Sequence, residues 1–122
     1  MNENADGFAH VSEHNLAAIF DFYDIDWQYE PTTFVLDAKA DGSLASAFAP
    51  DFYLPQFDLY IELTTLKQRH VTKKNKKLRL LKARYPQVNA KILYLRDYEK
   101  LIESHVHLVA SLVLPAADQL AA

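Results

Sequence analysis

The sequence predicts a single α/β domain, a central mixed four-stranded sheet flanked by helices in the order α-β-β-β-α-β-α. Three observations predict it. Leu16, Ile19, Phe20 and Tyr23 fall at helical spacing near the start of the chain. Between Trp27 and Leu66, runs rich in aromatic and β-branched residues are separated by turn signals. A second helical pattern then joins two short apolar runs, as a parallel strand pair requires. The 122 residues suit one domain with one core, and half of them are hydrophobic.

Taken in order, residues 1–10 read as a loose leader. Ser12 is the expected N-cap of a helix from Glu13 to Tyr23. Trp27 to Leu36 reads as a strand, with an edge position or bulge near Pro31 because proline removes a ladder donor. Asp37 to Ser46 holds Asp41-Gly42 and reads as a hairpin loop. Phe48 to Leu54 and Leu59 to Leu66 are the next strands, turned at Pro55. In the second, Tyr60, Glu62 and Thr64 alternate with Leu59, Ile61 and Leu63, giving one polar and one apolar face. Thr72 is the expected cap of a helix from Lys73 to Tyr85, with Val71, Leu78, Leu81 and Tyr85 as its apolar stripe. Ala90 to Leu95 reads as a buried strand, and Asp97 caps a last helix to about Leu112, with 115–122 a frayed tail.

Composition narrows the function. No apolar run approaches the ~18–20 residues of a membrane span. The N-terminus lacks the positive-then-apolar pattern of a signal peptide, so a cytoplasmic protein with no membrane partner is expected. There is no cysteine, which excludes disulfides and thiolate metal sites. With only two glycines there is no phosphate-cradling loop. The histidines make no convincing zinc set: His10 and His14 share a helix face, yet no third ligand is near in sequence.

The net charge is −3, but nine of the 13 lysines and arginines lie between Lys67 and Arg84, and no acid falls between Leu63 and Arg96. A concentrated basic element on an acidic body is the footprint of a phosphate-binding face. A solvated lysine-rich helix is the bland alternative.

The chain is organised around Ala49 to Thr65. Asp51 opens one apolar run and Glu62 sits inside the next, so antiparallel pairing sets the two acids side by side. Two acids held together repel unless something positive lies between them, and a divalent metal with oxygen ligands answers that need. The alternatives are a strand-start acid satisfied by nearby N–H groups for Asp51, and an ion pair with a helix lysine for Glu62.

This stretch resembles the core motif of the PD-(D/E)XK nuclease superfamily, with Pro50-Asp51 as the PD and Glu62-Leu63-Thr64 as the (D/E)XK. The element order over roughly residues 12–100 is similar to the restriction-endonuclease-like core. It looks closest to small stand-alone members related to very-short-patch repair endonucleases and resolvases. The resemblance implies a metal-dependent endonuclease hydrolysing DNA. Mg²⁺ (or Mn²⁺) would be held by Asp51, Glu62 and the Leu63 carbonyl. Glu13 would be the acid that many members carry on the first helix; otherwise it only favours the helix dipole. Lys67, Arg69, Lys73 and Lys76 would meet nucleic acid, and a homodimer through Val106 to Leu114 would suit a duplex cutter.

The motif lysine is replaced by Thr64. Relocation of the lysine, as seen in the superfamily, points to Lys74 or Lys77 on the basic helix ahead of Lys67. Otherwise the metal alone supports slow hydrolysis, or catalysis is lost and nucleic-acid binding kept. The stretch from Tyr60 through Arg84-Tyr85-Pro86 is also similar to a bacterial subgroup joined to or encoded beside purine phosphoribosyltransferases, which implies an accessory or regulatory role as a further alternative.

Overall fold

The computed structural model describes residues 10–64 and 68–106, with the side chains of Leu44, Gln68, Arg69 and His70 outside that description. The elements run α1 (Val11–Phe22), β1 (Gln28–Tyr29), β2 (Phe34–Ala38), β3 (Leu44–Phe48), β4 (Phe52–Leu54), β5 (Leu59–Thr64), α2 (Gln68–Arg84), β6 (Ala90–Tyr94) and α3 (Leu95–Ser104). One 3₁₀ turn, Pro55–Phe57, joins β4 to β5. The chain divides into two compact units, one containing α1 and the residues from Arg96 onward, the other spanning Asp26–Leu95.

The second unit carries a mixed four-stranded sheet in the order β1-β4-β5-β6. β4 pairs antiparallel with β1 and β5, and β5 pairs parallel with β6 through the α2 crossover. β2 and β3 form a separate antiparallel hairpin. Its loop closes with Lys39 N–H donating to the Ser43 carbonyl at 2.8 Å, and Gly42 takes a φ of 85° there. The core joins the two pieces: Phe34, Leu36 and Phe48 of the hairpin pack with Leu81 of α2 and Ala90 of β6. Tyr85 at the end of α2 donates its hydroxyl to the Val35 carbonyl at 2.9 Å, fastening the helix to the hairpin.

Several boundaries differ from the sequence expectation. Trp27–Leu36 is not one strand: Glu30 takes a φ of 45° just before Pro31, which ends β1. Phe48–Leu54 is likewise broken, since Pro50 lacks an N–H and the two halves join different sheets. α1 begins before Ser12, with His10 at the cap position and no side-chain cap. α2 begins at Gln68, so Thr72 is interior; no glycine or proline stands between them to delay the helix. β6 passes straight into α3, which leaves Asp97 in the first turn and not at the cap. In β5, Ile61 to Thr64 are all buried, so the polar face that carries Glu62 is covered as well as the apolar one.

In the first unit, Leu16, Ala17 and Ile19 of α1 are buried, while Tyr23 is exposed. Tyr23 hydroxyl and His105 Nε2 lie 2.8 Å apart. His105 Nδ1 is 2.7 Å from the Leu101 carbonyl, so Nδ1 carries the proton and Nε2 accepts from Tyr23. No helix among the described residues is long and apolar enough to cross a membrane. Most of Val106–Leu114, the run expected to support a dimer, lies outside the described residues.

Candidate metal centre

β4 is only three residues long, and its last pair with β5 is Phe52–Ile61. Asp51 therefore sits immediately before β4, opposite Glu62. The two residues clasp each other's strands. Asp51 N–H donates to Glu62 Oε1 at 3.1 Å, and Leu63 N–H donates to Asp51 Oδ2 at 2.8 Å. Asp51 is pinned from the other side as well, because Glu30 N–H donates to its carbonyl at 2.8 Å. Glu30 thus contributes its backbone, and its side chain is exposed. Both acids are buried, each 6% exposed.

α2 supplies the positive charge. Lys74 Nζ lies 2.5 Å from Glu62 Oε2 and donates to the Leu63 carbonyl at 3.3 Å. Lys74 and Leu81 are seven residues apart, on one face of the helix. Burying Leu81 completely in the core therefore turns Lys74 toward β5. Burial pushes the Glu62 carboxyl above the usual carboxylate range, and the Lys74 ammonium and the Asp51 N–H only partly pull it back.

Thr64, two residues past Glu62 on β5, is 1% exposed. Its hydroxyl finds no hydrogen-bond partner among the described residues. A buried hydroxyl in that state is uncommon and costly.

The structure brings together Asp51, Glu62, the Leu63 carbonyl and Lys74. Lys77 is half-buried on α2 and makes no ion pair among the described residues, and Lys73 and Lys76 are exposed. Lys67 lies outside the described residues, as does the side chain of Arg69. Glu13 is buried in the first turn of α1, in the other unit.

The donor set suits a hard divalent cation: two carboxylates and a carbonyl, all oxygen. Among the described residues there is no group of three or more His, Cys, Asp or Glu placed to hold a metal. An ion here would rely on those two carboxylates, the carbonyl and water, a complement that satisfies Mg²⁺. The Lys74 ammonium touches two of the same donors, so it must yield Glu62 Oε2 or the carbonyl when an ion enters.

Comparison with protein-family models, curated proteins and solved structures found no match. The functional reading therefore rests on the residues and their geometry.

Proposed function

We propose that this chain is a metal-dependent nuclease of the PD-(D/E)XK type, hydrolysing DNA phosphodiester bonds. One observation carries the reading: two buried carboxylates, a backbone carbonyl and a lysine ammonium meet at the open end of a strand pair, beside a basic helix. Asp51, Glu62 and the Leu63 carbonyl would hold Mg²⁺ or Mn²⁺. Such an ion supplies a bound water of lowered pKa and positive charge against the scissile phosphate. The chain's own part is orientation and charge. The reciprocal backbone bonds fix both carboxylates, which removes a reorganisation cost from the reaction. Lys74 stands in for the lysine absent at Thr64 and offers its ammonium to charge developing on the phosphoryl oxygens. Exposed Lys73 and Lys76 provide a sequence-independent grip on the backbone.

A second reading is favoured by the Lys74–Glu62 contact itself. If that pair is a fixed ion pair, the domain keeps nucleic-acid binding and lacks catalysis. Incubation of the purified protein with plasmid and oligonucleotides in Mg²⁺ or Mn²⁺ separates the two. The nuclease reading expects cleavage that Glu62→Ala abolishes. Cleavage no greater than that of the Glu62→Ala protein, with salt-sensitive binding that survives Asp51→Ala, selects the second.

A further inference from the structure

The N-terminal ends of β5 and β6 border a cleft of about 570 Å³, at the opposite end of β5 from the paired acids. Its volume falls within the usual range for a small-ligand site. Phe57 of the 3₁₀ turn, Pro86 and Val88 give it apolar surface, and two exposed lysines, Lys82 of α2 and Lys91 of β6, are among the residues that border it. No acid lines it. Asp58, next to Phe57, has its carboxylate engaged by the Tyr53 hydroxyl at 2.8 Å. Phe57 is 58% exposed although it is a large aromatic, so its ring is available for stacking. The wall is braced: Asn89 Nδ2 donates to the Asp58 carbonyl at 3.2 Å, and Tyr60 N–H donates to the Asn89 carbonyl at 2.9 Å.

We infer that this cleft binds a nucleotide unit, its base against Phe57 and its phosphate between Lys82 and Lys91. An aromatic face beside paired cations is the chemistry that holds single-stranded nucleic acid, because every base has a π-face and every unit a phosphate. The same unit arrives either as a free mononucleotide or as part of a strand. The strand is the better fit to the whole of α2. Lys74 and Lys82 are eight residues apart on that helix, roughly 12 Å, about three to four phosphates of a stacked strand. A strand gripped here would reach the acids at the far end of β5. The inference extends the nuclease reading but does not depend on it, since binding in the cleft requires neither Asp51 nor Glu62.

The test is binding without cleavage, in chelator and low salt. Fluorescence anisotropy follows a labelled oligothymidylate, and calorimetry follows thymidine monophosphate and inorganic phosphate. Three proteins are compared with wild type: Phe57→Ala, Lys82→Glu/Lys91→Glu, and the control Lys39→Glu in the hairpin loop. The exposed positions of all three keep folding out of the result, and circular dichroism verifies it. Phe57→Ala should weaken oligonucleotide binding at least about fivefold, the lysine pair should weaken it further, and Lys39→Glu, outside the cleft, should bind more tightly than either cleft variant. Tighter binding of the oligonucleotide than of the monophosphate assigns a strand; equal binding assigns a free nucleotide. Wild-type affinity in both cleft variants overturns the inference, as does inorganic phosphate binding as well as either nucleotide. Loss of cleavage without loss of these effects counts against the nuclease reading alone.

Discussion

Thr64, two residues past Glu62 on β5, holds a buried hydroxyl with no partner among the described residues. Valine has the same shape without the desolvation cost. Thr64→Val should therefore stabilise the protein by about 1 kcal/mol, raising the melting temperature by roughly 4 °C. A scanning-calorimetry midpoint that falls instead would show that the hydroxyl has a partner. Glu62 gives a second residue-scale test. Burial raises its carboxyl in the folded protein, so the folded state favours the neutral form. That preference stabilises the protein below the ordinary value of 4.5 and is lost as pH rises through the higher folded value. Glu62→Gln keeps an oxygen for the Asp51 N–H and carries no charge. Its stability relative to wild type, from denaturant melts across pH 4 to 8, should improve as pH rises. A relative stability that falls with pH would mean that the Lys74 ion pair outweighs burial.

At the scale of elements, α2 does two jobs with one face. Leu81 is fully buried against the hairpin and the sheet, and Lys74, two turns earlier, reaches Glu62. Leu81→Ala should cost about 2–5 kcal/mol, measured by chemical denaturation. On the nuclease reading, Lys74→Ala should slow plasmid cleavage by about a hundredfold or more, with Lys77→Ala near wild type. Equal loss in both would show that α2 acts only as a diffuse field of charge. The preference for Lys74 over Lys77 was within reach of the sequence. α2 returns from the end of β5, so its early turns lie nearest that end, and Lys74 stands one heptad before the central apolar residue of the stripe. The strand breaks at Glu30-Pro31 and Pro50 were less legible. Proline signals a fault in a ladder, but it does not say whether the strand bends or changes partner.

For the molecule as a whole, the mixed sheet, its parallel β5–β6 pair and the convergence of Asp51 with Glu62 follow from local patterns: short apolar runs, a turn at Pro55 and a helix-length crossover. What those patterns leave out is long-range. The cleft beneath Phe57 joins Lys82 and Lys91 from elements that meet only in the folded chain, and neither residue stands out in the sequence as a site. The hairpin β2–β3 leaves the main sheet because Phe34, Leu36 and Phe48 complete the core over α2, a packing solution that alternation alone does not encode. The paired acids and the cleft lie at opposite ends of β5, a separation that on the proposed reading suits an extended polymer. The most direct test of the central claim is anomalous diffraction from crystals soaked in Mn²⁺. The expected result is a peak bounded by Asp51, Glu62 and the Leu63 carbonyl, with Lys74 withdrawn from at least one of those oxygens. An empty position, with the Lys74 ammonium still seated on Glu62 and Leu63 at saturating Mn²⁺, would contradict it.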